Sequence, residues 1–139
     1  MKIISTALIL LLTFGASAHA FELEVKQVSQ NIYAIVGEMA QRSPENRGNN
    51  ATFGLVITKA GAVLIDSGGT FKGAEQIDAA IKTVTNKPVK IVINSGGQDH
   101  RWLGNDYFKA NGARIIASTA AVEDHKERGN GQLEALGFL

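Results

Sequence analysis

The run Ile91-Val92-Ile93-Asn94-Ser95-Gly96-Gly97-Gln98-Asp99-His100-Arg101-Trp102-Leu103-Gly104-Asn105 decides the fold. It opens on three β-branched residues, the pattern of a strand buried on both faces. Two glycines then turn the chain, and an acid and a histidine follow side by side. Leu103, Tyr107 and Phe108 predict a short helix, closed by Asn111-Gly112, a pair suited to a left-handed stop. A buried strand feeding a glycine turn and a helix is where α/β proteins place their chemistry.

Upstream lies an echo of the same turn. Ile65-Asp66-Ser67-Gly68-Gly69 repeats the pattern of Ile93-Asn94-Ser95-Gly96-Gly97. If the two strands run parallel, both turns open on one carboxyl edge of the sheet. The helix needed for that crossover is present. Ala74, Ile77, Ile81 and Val84 recur at helical spacing, with Lys72, Glu75, Asp78 and Lys82 on the other side. Asp78 and Lys82 are a favourable i,i+4 pair, and Asn86 and Pro88 stop the helix.

Further outward, Glu24 to Val28 and Ile32 to Val36 read as one hairpin, Phe53 to Ile57 and Ala62 to Asp66 as a second. Between them, residues 38–50 are polar with no apolar period, and read as a surface loop. Ala113 to Ala117 is a last strand. Ser118 or Thr119 can cap a final helix through Glu127, with Gly129 beyond its end. Two strands are each followed by a helix before the next strand, the mark of parallel crossovers. The fold class is therefore α/β, a mixed β-sheet with flanking helices.

The first twenty residues read as a separate object. Lys2 supplies a positive start, Ile3 to Phe14 an apolar stretch, and Ala18-His19-Ala20 a small-x-small cleavage site. The expectation is a signal peptide over residues 1–20, a domain over 21–139, and a periplasmic or secreted location without a stable membrane anchor. Removing 20 of 139 residues leaves 119, enough for one modest core. Lys2 is the only charge removed, so the formal net charge falls from +1 to 0. A neutral chain gives no electrostatic reason to expect nucleic acid. The absence of cysteine is compatible with an oxidising compartment.

Asp99 and His100 are the sharpest chemical signal, since carboxylate and imidazole are ordinary zinc ligands. Two ligands do not make a site, and a helix-capping acid beside a partly buried histidine is the plain structural alternative. His125, on the last helix with Lys126 and Glu127, reads as solvated surface.

Taken together, Asn49-Asn50-Ala51-Thr52, Val63-Leu64-Ile65-Asp66-Ser67-Gly68, Val92-Ile93-Asn94-Ser95 and Asp99 to Asn105 resemble the first half of a metallo-β-lactamase-fold hydrolase. The resemblance covers most of the chain from the first hairpin onward. It implies the N-terminal half of an αββα sandwich. In the intact family it implies a metal-bound water that attacks an ester, amide or thioester of a small-molecule substrate. The family motif is H-x-H-x-D-H, and Asp99 and His100 match its last two positions. By this resemblance Asp99 is the candidate catalytic residue, Asp99 and His100 the candidate ligands of a single zinc, and Asp66 a buried acid that orients loops.

The departure is equally specific. The two leading histidines would fall at Ser95 and Gly97, or at Gly96 with a one-residue deletion, and none of these binds zinc as histidine does. The family's remaining ligands lie in a second half that this sequence does not reach. The expectation is therefore an exported hydrolase-like protein, truncated and inactive as this chain. The alternative is a non-catalytic binding or assembly module on the same fold, self-associating through the apolar run Leu133 to Leu139. A third reading, an anion cradle at the glycine turns, ranks last. No lysine follows the glycines at phosphate-loop spacing, and Arg101 is the cation nearest in sequence to the second turn.

Overall fold

The computed structural model describes residues 21–137 and 139. The expected signal peptide lies outside the described residues. Six strands form one sheet in the order of the chain: β1 (Glu24–Ser29), β2 (Ile32–Val36), β3 (Thr52–Ile57), β4 (Ala62–Ile65), β5 (Val89–Asn94) and β6 (Arg114–Ala117). The first four are antiparallel, whereas β4, β5 and β6 run parallel. Four helices complete the described fold: α1 (Phe71–Lys82), α2 (Asp99–Trp102), α3 (Asn105–Ala110) and α4 (Thr119–Ala135). No helix among the described residues is long and apolar enough to cross a membrane.

The sequence dictates α1 locally. Thr70 stays extended and its hydroxyl accepts from the Gly73 N–H, satisfying one of the free donors of the first turn. One face then presents Ala74, Ile77 and Ile81, all at most 1% exposed. They pack in one cluster with Ile35, Phe53, Leu55, Leu64 and Val92 of the sheet and Phe108 of α3. Each such side chain contributes about 1.5–3 kcal/mol by leaving water. On the outer face Lys82 reaches Asp78 at 2.6 Å, the expected i,i+4 pair.

Four expectations need correction. Among the described residues β5 is covered on one face only: Val92 is buried, while Ile91 and Ile93 are half-buried, because the described helices that pack on the sheet, α1 and α3, lie on the Val92 side. Residues 38–50 are not a simple surface loop, since Asn46 and Asn49 are wholly buried. The segment after β5 forms two short helices rather than one, and α2 starts at Asp99. Finally, α4 runs through Gly129 to Ala135; Gly129 is buried against the Trp102 ring instead of ending the helix. That extension also changes the C-terminal run, in which Leu136 is buried and Leu133 is 56% exposed.

Candidate functional site

Because β4 and β5 are parallel, their two glycine turns share the carboxyl edge of the sheet. Backbone hydrogen bonds lace them together. Ser67 N–H donates to the Arg101 carbonyl at 3.2 Å, Gly68 N–H to the His100 carbonyl at 3.0 Å, and Gly104 N–H to the Gly68 carbonyl at 2.9 Å. The approach is close enough that a Cβ on Gly104 would lie 2.1 Å from the Ser67 carbonyl oxygen, so only glycine fits. Asn94 and Asn105 exchange side-chain hydrogen bonds at 2.8 and 3.0 Å, and the Ser67 hydroxyl also donates to Asn105.

Asp66 sits at the centre of this lacing. It is buried, adopts φ +66°, and accepts from both the Ser95 N–H and the Ser95 hydroxyl at 2.7 Å. A left-handed backbone is uncommon outside glycine, and aspartate is among the side chains that tolerate it. Asp66 thus holds the second turn against the first. The Arg101 guanidinium lies 3.8 Å from its carboxylate and also donates to the Ser95 hydroxyl and to Gln98.

Asp99 is the first residue of α2, with its side chain only 12% exposed. Its Oδ1 accepts from the His100 N–H at 2.7 Å, lies 3.2 Å from His100 Nδ1, and accepts from the Arg42 guanidinium. Arg42 belongs to the loop between β2 and β3 and carries the positive charge nearest to Asp99. Burial holds the His100 imidazole below its usual value, against the pull of the Asp99 carboxylate in the other direction. A neutral ring that donates from Nδ1 to Asp99 leaves Nε2 as its free acceptor.

The third wall is α4. Its His125 is not solvated surface: the ring stacks on Trp102 at 4.4 Å, and Nε2 lies 3.1 Å from the Gly96 carbonyl. Gln132 donates to the Gly97 carbonyl at 2.9 Å and accepts from the Trp102 indole at 2.9 Å. Asp124 fills the space that a side chain at position 97 would need. A Cβ on Gly97 would lie 2.1 Å from Asp124 Oδ2. The space beside the Gly97 backbone is therefore already taken by a side chain of α4.

The donor set does not fit a metal centre. Asp99 and His100 are adjacent as expected, but Asp99 already carries a guanidinium. Among the described residues no three His, Cys, Asp or Glu side chains come together as a metal-binding group. About three protein ligands are the minimum for a catalytic zinc. Sequence reasoning missed Arg42, Asp124 and Gln132. Each meets the turn from a distant segment, and none stands at a diagnostic spacing from Asp99. Asn105 was visible as the last residue of the focal run, but without a partner.

No protein-family model and no curated protein matches the sequence. Solved structures do. A metallo-β-lactamase from Pontibacter korlensis superposes with a TM-score of 0.61 at 23% identity, over 78% of this chain and 49% of that one. One from Hirschia baltica gives 0.66 at 17% identity, over 78% and 49%. The FIM-1 metallo-β-lactamase from Pseudomonas aeruginosa, in its mono-zinc form, gives 0.65 at 13%, over 79% and 48%. The chain has the metallo-β-lactamase fold. It spans about half the length of the solved structures it matches. The mixed sheet and flanking helices are thus those expected, and on this fold Asp66, Asp99 and His100 line the carboxyl edge of the parallel strands.

Proposed function

We propose that this is an exported, hydrolase-like protein of the metallo-β-lactamase fold that has no working metallo-hydrolase centre as this chain. The observation that carries the reading is the Arg42 guanidinium on Asp99. An internal cation neutralises the carboxylate that would otherwise hold a metal, and Asp124 occupies the volume where a further ligand would project. Export rests on the signal-like residues 1–20 alone.

The test is direct. Zinc or cobalt is titrated calorimetrically into the purified chain, and hydrolysis of chromogenic ester, thioester and β-lactam probes is followed with each metal. The expected result is no stoichiometric binding tighter than about 10 μM and no metal-dependent turnover. Stoichiometric binding with turnover that is lost in Asp99→Asn would overturn the reading and restore Asp99 and His100 as zinc ligands. The mass of the exported product checks the leader, with a chain beginning at Phe21 expected.

A second reading, an assembly module on the same fold, is favoured by a different observation: one face of the sheet carries aliphatic side chains and no helix among the described residues.

A further inference from the structure

The two ends of the sheet differ in charge. At the amino edge of the parallel strands the connections are laced together. Ile57 N–H donates to the Asn31 carbonyl at 2.8 Å, Ala62 N–H to the Pro88 carbonyl at 2.9 Å, and Lys87 Nζ to the Thr58 carbonyl at 2.6 Å. A Cβ on Gly61 would lie 2.5 Å from Lys90 Cγ, so the turn between β3 and β4 sits against the start of β5. Arg114 opens β6 and pairs with Ile91, the neighbour of Lys90. Helices α1 and α3 end on the same edge, with Lys82 and Lys109 in their last turns.

This edge is made from acid-free sequence. Residues 25–37, 53–65, 79–98 and 107–122 supply it and contain no Asp or Glu. They bring six cations to it, Lys59, Lys82, Lys87, Lys90, Lys109 and Arg114, all exposed. Asp78 answers Lys82; among the described residues the other five have no carboxylate within ion-pair reach. Glu38, Glu45, Asp66, Asp99 and Asp124 all stand toward the opposite, carboxyl edge. Beside the cations, the tip of the β1–β2 hairpin adds two aliphatic side chains, Val28 at 67% and Ile32 at 42% exposed.

We propose that this edge binds the surface of a bilayer that contains anionic phospholipid, reversibly and without a spanning segment. Clustered basic side chains are drawn to such a surface, and the attraction fades within a Debye length. Lysine stems are aliphatic, so the ammonium groups reach headgroup phosphates while Val28 and Ile32 meet the apolar boundary beneath. Nucleic acid is the poorer match. Base recognition uses arginine forks or aromatic platforms, whereas five of these six cations are lysines, which act as point charges. A polyanion also gives Val28 and Ile32 nothing apolar to enter. The inference goes beyond the inactive-chain reading, and it does not depend on whether the carboxyl-edge turn, at the other end of the strands, holds a metal.

The test is sedimentation of the chain from Phe21 with vesicles of phosphatidylcholine, alone or with about one third phosphatidylglycerol. Starting at Phe21 leaves out the apolar stretch Ile3 to Phe14, which has a lipid affinity of its own. The expected result is binding to the anionic vesicles only, at about 50 mM salt, with release at about 0.5 M. Lys59→Gln with Lys90→Gln is expected to weaken binding at least about tenfold. Lys72→Gln with Lys126→Gln removes the same charge from the first turn of α1 and from α4, away from this edge, and is expected to change it less than about twofold. Binding to neither vesicle, equal binding to both, or equal losses in the two pairs overturns the proposal. Tighter binding to a short DNA duplex than to the vesicles at the same salt also overturns it, in favour of a polyanion. If Lys59→Gln with Lys90→Gln does not fold, the cysteine-free background supplies a second measurement. A polarity-sensitive dye on Val28→Cys is expected to shift to the blue with anionic vesicles, and the same dye on Leu133→Cys to stay unchanged. No shift at Val28→Cys, or an equal shift at both positions, overturns the proposal.

Discussion

The Arg42 guanidinium donates to Oδ1 of Asp99, joining residues 57 positions apart and pinning the loop between β2 and β3 onto the start of α2. With the Arg42 side chain 30% exposed and that of Asp99 12%, the pair is shielded but not dry. Its strength shows most clearly when one partner is removed, because the other charge is then left under-solvated.

Arg42→Gln is therefore expected to destabilise the chain by about 2 kcal/mol, below the range for fully buried pairs because Arg42 keeps some contact with water. Asp99→Asn should cost a similar amount. The double variant should cost less than the sum, with a coupling of about 1–2 kcal/mol in a double-mutant cycle. Urea unfolding at neutral pH measures all four states. Additive losses would mean that the two residues act separately.

Gly97 gives the second expectation. Its missing Cβ would lie 2.1 Å from Asp124 Oδ2 and 2.4 Å from Asp124 Cβ, so Gly97→Ala must push α4 away from the turn. Overpacking of this kind costs about 1–3 kcal/mol. Gly97→Ala with Asp124→Gly removes the clash, and recovery of most of that loss beyond the helix cost of glycine is expected in thermal unfolding. Failure to recover would place the strain in the turn backbone instead.

The architecture was largely legible in the residues themselves. Alternating and β-branched runs marked all six strands, and the Ala74, Ile77, Ile81 spacing marked α1. Ser118 was one of two caps expected for α4, and its hydroxyl does accept from the Ala121 N–H. What escaped was whatever depends on a distant partner. Arg42 sits in an aperiodic loop, and nothing local distinguishes a guanidinium in water from one on Asp99. Gly129 looks like a helix stop until Trp102 is placed beside it. His125 looks solvated until the Gly96 carbonyl arrives from a turn 29 positions away. The β5 run Ile91-Val92-Ile93 reads the same whether one face is covered or two. At the site, the Asp99–His100 pair and the loop-holding Asp66 were visible, but the cation and the α4 wall that close around them were not.

Asp66 separates two contributions that usually travel together. It supplies acceptors to both the Ser95 N–H and the Ser95 hydroxyl, and it holds φ +66°. Asp66→Asn keeps a carbonyl acceptor and a side chain that tolerates the left-handed region, so a loss of about 1 kcal/mol is expected. Asp66→Ala loses both acceptors and adds backbone strain, for about 3 kcal/mol. Equal losses in chemical denaturation would show that the charge alone matters.

Tyr107 provides a pH signature remote from the turn. Burial pushes its phenol up to about 12, helped by its hydrogen bond to Asp78 Oδ2 at 2.9 Å and by that carboxylate's charge. A group whose folded value lies above its unfolded one holds its proton longer in the folded state. Its contribution to stability is therefore fully present below pH 10 and is lost as pH rises from 10 toward 12. The ultraviolet phenolate absorbance of the folded chain should show one of its two tyrosines ionising late, near the upper end of that window. Tyr107→Phe removes both the late step and its share of the alkaline loss of stability, while Asp78→Asn should move the step toward lower pH. If the late step survives in Tyr107→Phe, it belongs to another group and the Asp78 contact does not control it.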